Sequence, residues 1–398
     1  MILIRRSRCF ALGRSYLFSK QRYSRHSSTK YCEPLRILFC GSDEISIASL
    51  QALHAEHSKS PETIASIDVV CRPGKRVGRG LKRIREVPIK AVAENLSLPV
   101  HEIDTFTGWT PPQPQQGPCN LIVAVSFGLR VPPRILGAAR YGGLNIHPSL
   151  LPDFRGPAPI HHTLLAAEKT TGITLQTLHE SKFDYGLILD QTKFDIPEPE
   201  SCDVQGLVKI AADKGAQVLI NGIRDRLFVP PLEPVLQPTV VPETALRHAA
   251  KIGPEDRHVE WSSWTWDRIR RHHKVLGSLW NYASVSGTSK STGSSLRKRI
   301  IFADMEAVPP DFILEFVSGI EPGIPFAVAG NSSVLDKDRP IYVLTSDRKL
   351  VKINQIKVEG DKTKGAYAAA LKAKAIQPLA HRGMSDETLI SKFYEPLH

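Results

Sequence analysis

The chain has 398 residues, of which 41% are hydrophobic and 23% charged, and its formal net charge is +12. A chain of this length holds two or three domains with well-buried cores. No segment approaches about 18 uninterrupted apolar residues, which excludes a membrane-spanning helix. The six cysteines are scattered without a C-x-x-C pair. This pattern argues against a structural zinc site and a disulfide scaffold, and it indicates a reducing compartment.

The positive charge is concentrated at the N-terminus. Residues 1–32 contain eight basic residues, six serines and no acidic residue. This composition is typical of a mitochondrial transit peptide, and a disordered basic tail is the alternative. From this composition we predict that the mature chain acts in the mitochondrial matrix. Without residues 1–32 the chain has 44 basic and 40 acidic residues, a net charge of +4, so only local basic clusters can indicate a partner.

Strand-like and helical segments alternate in the first half of the chain. The predicted strands are 35–40, 64–71, 121–126 and 143–147. The predicted helices between them are 45–53, 87–95 and 132–139. Two later segments, 173–178 and 187–196, alternate as antiparallel strands do, and a long helix is expected over 204–225. The order is typical of a Rossmann-like α/β domain, with a mostly parallel sheet and helices on both faces.

A proline-rich segment divides the chain. Residues 229–242 hold five prolines and little periodicity, which indicates an extended linker. Beyond it, a helix over 264–276 and strand-like segments over 300–356 predict a smaller C-terminal β-rich domain. The predicted organisation is a transit peptide at 1–32, a catalytic domain at 34–228, a linker at 229–247 and a C-terminal domain at 248–380.

The turn after the first strand, Gly41-Ser42-Asp43, could serve a nucleotide. It lacks both the G-x-G-x-x-G pattern of dinucleotide sites and the G-x-x-x-x-G-K-[ST] pattern of phosphate-binding loops. Two interpretations remain open: a tight strand-to-helix turn, or an anion site at a helix N-terminus.

The segment 143–160 carries the clearest chemistry. Asn145 and His147 are two apart at a strand end, so both side chains point to one face, and a Pro/Gly-rich loop follows. Ligands of open α/β sheets bind at that end of the strands. An amide and an imidazole there suit a reaction that develops an oxyanion. Asp184, in the turn between the two late strands, is a candidate to orient the imidazole.

These residues resemble the folate-dependent formyltransferase family. The resemblance is carried by Asn145-x-His147-x-Ser-Leu-Leu-Pro-x-x-Arg155-Gly and by the turn around Asp184, and it extends over about 35–225. It implies Asn145, His147 and Asp184 as catalytic residues and 10-formyltetrahydrofolate as the formyl donor. It also implies a set of donor-contacting residues: Ser149, Leu150, Leu151, Pro152, Phe127 and Gly128.

Two basic features bear on the acceptor. Residues 74–85 hold six basic residues, no acid and three glycines, and further clusters lie at 268–274 and 297–299. A flexible basic loop near a cleft suits a phosphate backbone, although a solvated surface is the alternative. Both features resemble the methionyl-tRNA formyltransferases, whose C-terminal domain is OB-like. The residues that this resemblance assigns to tRNA are Lys75, Arg76, Arg79, Lys82, Arg83 and Arg155.

The sequence therefore predicts formyl transfer from 10-formyltetrahydrofolate to methionyl-tRNA, in mitochondrial translation initiation, by a monomer that needs no metal. Three alternatives stay open. The chain could formylate a small amine such as glycinamide ribonucleotide or an amino sugar, hydrolyse the same folate, or bind RNA without activity. The basic loop and the C-terminal domain disfavour the first two, and the intact set of three catalytic residues disfavours the third.

Overall fold

The computed structural model describes residues 30–114, 117–235, 243–288, 295–309, 320–328, 339–376 and 393–394. The predicted transit peptide therefore lies outside the described residues except for its last three positions. Residues 236–242 of the predicted linker lie outside them as well.

The first domain is built from alternating strands and helices. They are β1 (Leu35–Gly41), α1 (Glu44–Lys59), β2 (Ile64–Cys71), β3 (Lys75–Val77), β4 (Arg83–Arg85), α2 (Pro88–Asn95), β5 (Val100–Glu102), β6 (Leu121–Val125), α3 (Pro133–Leu136), β7 (Gly143–His147), α4 (Pro159–Leu165), β8 (Thr170–Thr177), β9 (Ile188–Asp195) and α5 (Val204–Arg224). Seven strands form one sheet in the order β5-β2-β1-β6-β7-β8-β9. The first five of these are parallel, whereas β8 and β9 are antiparallel. The predicted Rossmann-like sheet and its late antiparallel strands are confirmed.

Strand β1 shows why the sheet is covered on both faces. Ile37 and Phe39 pack in the cluster that includes α1 and α5, and Leu38 and Cys40 pack in the opposite cluster with α3. Side chains alternate between faces along a strand, so a run that is apolar throughout requires two apolar layers. Full burial of each such large side chain contributes about 1.5–3 kcal/mol. With both faces covered, the strand ends are the open part of the sheet.

The N-terminus of α1 decides between the two interpretations of the Gly41-Ser42-Asp43 turn. The Asp43 carboxylate accepts hydrogen bonds from Ile45 N at 3.1 Å and Ser46 N at 3.2 Å. Burial raises the pKa of this carboxyl, and the bond from Ser46 N opposes that shift. Because the side chain of Asp43 caps the helix itself, the observed geometry favours a strand-to-helix turn.

In its described residues, the C-terminal domain is an antiparallel sheet with two α-helices. Its elements are α6 (Trp266–Leu276), β10 (Leu279–Thr288), β11 (Ser295–Ala307), β12 (Ile341–Leu344), β13 (Leu350–Val358), β14 (Lys364–Gly365), α7 (Ala366–Lys372) and β15 (Phe393–Tyr394). The strand order is β12-β13-β11-β10-β15, and β14 pairs with β13. Its core, which includes Trp261 and Phe302, is a separate cluster from that of the first domain. The predicted β-rich character is confirmed.

Candidate active site

Asn145 and His147, the polar residues of β7, lie near the carboxyl ends of the parallel strands and share one face of the sheet. Asn145 and His147 are separated by one residue, so their side chains point to the same side. Strand β8 runs antiparallel to β7 and places Gln176 opposite Asn145 and Thr174 opposite His147. Directly opposed residues also share a face. The sheet therefore adds two residues of β8 to the pair that the sequence singles out.

Asp184 is brought to His147 by the turn between β8 and β9. The Nδ1 atom of His147 lies 3.3 Å from Asp184 Oδ1, and both side chains are 7% exposed. The other ring nitrogen, Nε2, lies 3.0 Å from Phe154 O. Since a carbonyl oxygen can only accept, Nε2 carries a hydrogen in this arrangement. The other nitrogen, Nδ1, then faces the carboxylate of Asp184. It can take up and release a proton, and the carboxylate stabilises the protonated ring.

The carboxylate of Asp184 is held by groups from two other segments. Gly156 N donates to Oδ2 at 2.9 Å, and Gln176 Nε2 donates to Oδ1 at 3.2 Å. Arg155 Nε donates to the main-chain oxygen of Asp184 at 2.9 Å. Asp184 has φ of 59°, in the left-handed region that aspartate adopts more readily than most residues. These bonds fix both the backbone and the carboxylate of the turn.

Asn145 lies beside a cavity. Its side chain is half-buried, and its Oδ1 atom is buried with no hydrogen-bond partner among the described residues. Buried polar atoms are normally paired, so a bound ligand is a natural source of the missing partner. A cavity of about 40 Å³ reaches Asn145 and Asp184. A wider cavity of about 480 Å³ shares four lining residues with it, namely Arg130, Thr177, Leu178 and His179.

Comparison with known proteins identifies the family. Residues 35–223 match the family model described as formyl transferase. The mitochondrial methionyl-tRNA formyltransferase of Saccharomyces cerevisiae is 32% identical over 323 residues, which is 72% of this chain and 79% of the relative. The chain belongs to the methionyl-tRNA formyltransferase family. The mitochondrial methionyl-tRNA formyltransferase of Homo sapiens is 31% identical over 256 residues, or 64% of this chain and 60% of the relative.

A solved structure is also similar. WlaRD, a sugar 3N-formyl transferase crystallised in the presence of dTDP and 5-N-formyl-THF, has a TM-score of 0.47 and 13% identity. The match covers 83% of this chain and 100% of that one. At this level of similarity, the comparison adds nothing to the family assignment.

The loop after β7 contains four of the residues that the family resemblance assigns to the folate. Ser149 and Leu151 are buried, whereas Leu150 and Pro152 are half-buried. Ser149 Oγ donates to Asp153 O at 2.8 Å, so this hydroxyl shapes the loop from inside. A ligand can therefore reach Leu150 and Pro152 most directly. Folate contact by all four residues stays a prediction.

The other two predicted donor-contacting residues follow β6. Phe127 is buried, and its ring centroid lies 5.9 Å from that of Phe106. Gly128 is exposed and has φ of 76°, a conformation that glycine adopts without strain. Phe127 therefore anchors the end of β6, and Gly128 is the accessible member of the pair.

The last residue of the predicted linker, and a residue two positions beyond it, lie against the loop that holds the His147–Asp184 pair. Phe154 N donates to Arg247 O at 2.7 Å, and Ala249 N donates to Arg155 O at 2.7 Å. The guanidinium of Arg247 pairs with the carboxylate of Asp153 at 2.5 Å. In this member of the methionyl-tRNA formyltransferase family, the linker supports the loop from outside. The sequence indicated only an extended linker there.

Arg155 has a position that the sequence did not indicate. The family resemblance assigns Arg155 to tRNA, and that contact stays a prediction. Here its guanidinium lies 3.9 Å from the ring centroid of Tyr185, and its Nε donates to Asp184 O. Arg155 is thus part of the support of the turn that carries Asp184.

The basic segment 74–85 is a hairpin rather than the flexible loop expected from its glycines. β3 and β4 pair antiparallel, with a short 3₁₀ helix (Arg79–Leu81) between them. Gly78 and Gly80 have φ of 82° and 74°, which lets the chain reverse within a few residues. Two apolar side chains at this hairpin, Leu81 and Ile84, are 57% and 58% exposed. Four of the basic side chains predicted to contact tRNA are exposed: Lys75, Arg76, Lys82 and Arg83.

The described residues offer neither a candidate metal site nor a candidate membrane span. No group of three or more His, Cys, Asp or Glu side chains in this part of the chain could hold a metal ion. No helix within the described ranges is long and apolar enough to cross a membrane.

Proposed function

We propose that this chain transfers the formyl group of 10-formyltetrahydrofolate to the amino group of methionyl-tRNA in the mitochondrial matrix, for translation initiation. The observation that carries the proposal is that Asn145 and Asp184 line one cavity while His147 Nδ1 lies 3.3 Å from Asp184 Oδ1, in a chain of this family. The names of the yeast and human relatives support the acceptor and a mitochondrial location.

The first step forms a bond between the methionyl amine nitrogen and the formyl carbon. The formyl oxygen then carries negative charge, and the amide of Asn145, beside the cavity, donates a hydrogen bond to it. His147 lies on the same face, but both of its ring nitrogens have partners, Phe154 O and Asp184 Oδ1, so it stabilises the same charge through space when it is protonated. Preorganised donors of this kind are among the largest contributions to acyl-transfer rates. Holding the two substrates in line at the mouth of the cavity supplies a further share.

The second step moves a proton. The attacking amine loses a proton, and the nitrogen of the folate gains one as its bond to the formyl carbon breaks. His147 Nδ1, facing Asp184 Oδ1 at 3.3 Å, can accept this proton and return it, directly or through water. The carboxylate stabilises the charged imidazole while the proton resides there.

The acceptor RNA is held by basic groups outside the cavity. The exposed side chains of the hairpin formed by β3 and β4 present positive charge for phosphates. In the C-terminal domain, Arg268 is exposed and its guanidinium lies 4.4 Å from the ring centroid of Trp264. Other positive charges of that cluster face the first domain, since Lys274 Nζ donates to Glu200 O at 2.7 Å. We infer that the hairpin carries more of the RNA contact than this helix.

One experiment tests the proposal. The full chain is incubated with 10-formyltetrahydrofolate and either methionyl-tRNA, glycinamide ribonucleotide, an amino sugar nucleotide or no acceptor, and the formylated products are identified. Formyl-methionyl-tRNA as the sole product supports the proposal. A formylated small amine, formate released without acceptor, or RNA binding without any product would each establish one of the alternatives instead.

A further inference from the structure

The buried side-chain amide of Gln176 contacts the carboxylate of Asp184. Gln176 on β8 is 1% exposed, and both ends of its side-chain amide are hydrogen-bonded to the turn that carries Asp184. Its Nε2 donates to Asp184 Oδ1 at 3.2 Å, and its Oε1 accepts from Gly186 N at 3.2 Å. A buried glutamine is uncommon unless its polar atoms are paired, and here both partners belong to the same turn.

The orientation of the Gln176 amide is determined by its partners. The main-chain nitrogen of Gly186 can only donate, so the oxygen of Gln176 must face it. The NH₂ group is then directed at the carboxylate of Asp184. The turn packs so closely on β8 that position 186 has no room for a side chain, since a Cβ on Gly186 would lie 1.6 Å from Thr177 O. Strand and turn are therefore in direct contact, with Gln176 between them.

We propose that Gln176 is a positioning residue for formyl transfer that acts through Asp184, and this inference rests on the proposed function. Gln176 fixes Oδ1 of Asp184 toward His147 Nδ1. The NH₂ group of Gln176 also points at Oδ1 of Asp184. A hydrogen on that oxygen would meet the NH₂ group, donor against donor, so the arrangement suits the ionised carboxylate. The charged and titratable groups that face this turn or line its cavity are His147, Arg155, Lys182, Tyr185, Arg130 and His179.

Two variants separate this role from simple packing. Gln176→Leu keeps the size and burial of the residue but removes both hydrogen bonds. We expect kcat to fall by about 10- to 100-fold, since hydrogen bonds to charged groups are among the stronger ones, while KM for both substrates stays close to wild type. Gln176→Glu keeps an oxygen for Gly186 N and places a second carboxylate beside Asp184. Two carboxylates that share a site hold a proton to higher pH.

The decisive readout is the pH profile of kcat. Because Asp184 must be ionised, Gln176→Glu should move the acid-side midpoint upward by about one pH unit or more, and higher pH should restore part of the rate. The control is Asn120→Leu, which removes another buried amide that accepts from Arg36 N at 2.8 Å and donates to Pro34 O at 3.0 Å. This control should lower thermal stability and leave the pH profile unchanged.

The outcomes separate the positioning role of Gln176 from the proposed formyl transfer. A Gln176→Glu profile that superimposes on wild type, or a Gln176→Leu enzyme with near-wild-type kcat, overturns the positioning role while formyl transfer by the wild type still stands. If Gln176→Leu does not fold, Gln176→Glu decides alone. A wild-type chain that forms no formyl-methionyl-tRNA overturns the proposed function and this inference with it.

Discussion

Replacing Asp184 by asparagine is the sharpest single test of the proposed role of the turn between β8 and β9. The carboxylate faces three nitrogen atoms, namely Gly156 N at 2.9 Å, Gln176 Nε2 at 3.2 Å and His147 Nδ1 at 3.3 Å. In Asp184→Asn, the amide oxygen can keep the bond from Gly156 N. The new NH₂ group then points at the NH₂ group of Gln176. If Gln176 rotates its own amide, its NH₂ group meets the N–H of Gly186 instead, so one donor–donor contact remains either way.

The size of the effect follows from these contacts. A buried donor left unpaired costs about 1–3 kcal/mol, and losing a hydrogen bond to a charged group costs about 1.5–3 kcal/mol. The variant also loses the negative charge that stabilises a protonated His147. Together these losses predict a kcat lower by roughly 10²- to 10⁴-fold. The side chain keeps its shape, so we expect the chain to fold and to bind the donor with near-wild-type affinity, while the unpaired donor lowers the free energy of unfolding by at most about 1–3 kcal/mol.

The assay is single-turnover formation of formyl-methionyl-tRNA at saturating donor, with donor binding measured separately. The matched control is Asp213→Asn, since Asp213 is an exposed residue of α5. A variant at position 184 that stays within about threefold of wild-type kcat would refute the reasoning, because the carboxylate would then contribute almost nothing beyond its shape.

Two further predictions concern the RNA contact and the C-terminal domain. Replacing Arg79, Lys82 and Arg83 together by alanine should weaken methionyl-tRNA binding and reduce the slope of log Kd against log salt by about 2 to 3, measured by titration at several salt concentrations. Burial lowers the pKa of His272 to about 4, whereas an unfolded histidine titrates near 6.5. The unfolded state therefore binds more protons between these pH values, so the free energy of unfolding should fall as pH drops from 6.5 to 4. His272→Gln should flatten that fall in denaturant unfolding curves.

Each of these has its own control. For the RNA contact, Lys59, Lys169 and Lys209 are exposed on other elements and can be replaced together by alanine. Equal effects of the two triple variants would show that the hairpin has no special role. For the histidine, the wild type and His272→Gln are compared over the same pH range. Parallel curves would mean that His272 does not cause the pH dependence.

The apolar pattern was sufficient to predict six of the seven strands of the central sheet, all but the three-residue edge strand β5. Strands β2 and β7 have the predicted bounds, because continuous apolar runs between turn residues have few other solutions in a soluble chain. The pairing of Asn145 and His147 on one face could be predicted as well, since side chains two residues apart on a strand point to the same side. Helix α4 was not predicted, although Pro159 occupies a first-turn position typical of a helix start.

Long-range contacts account for what the sequence could not indicate. Gln176 lies in an alternating strand pattern, where a polar residue is expected to face solvent. It is buried because the turn at 184–186 folds back over β8, which no local pattern specifies. Arg155 and Arg247 were likewise ordinary basic residues in the sequence, and their partners at Asp184 and Asp153 lie 29 and 94 positions away along the chain.

The most direct test of the account compares the wild type with Asn145→Ala in formyl transfer from 10-formyltetrahydrofolate to methionyl-tRNA. We expect formyl-methionyl-tRNA as the product of the wild type. For the variant we expect a turnover lower by about 100- to 1,000-fold, as for loss of an oxyanion donor, with the fold intact. Near-wild-type turnover by Asn145→Ala, or no transfer to methionyl-tRNA by the wild type, would contradict the central claim.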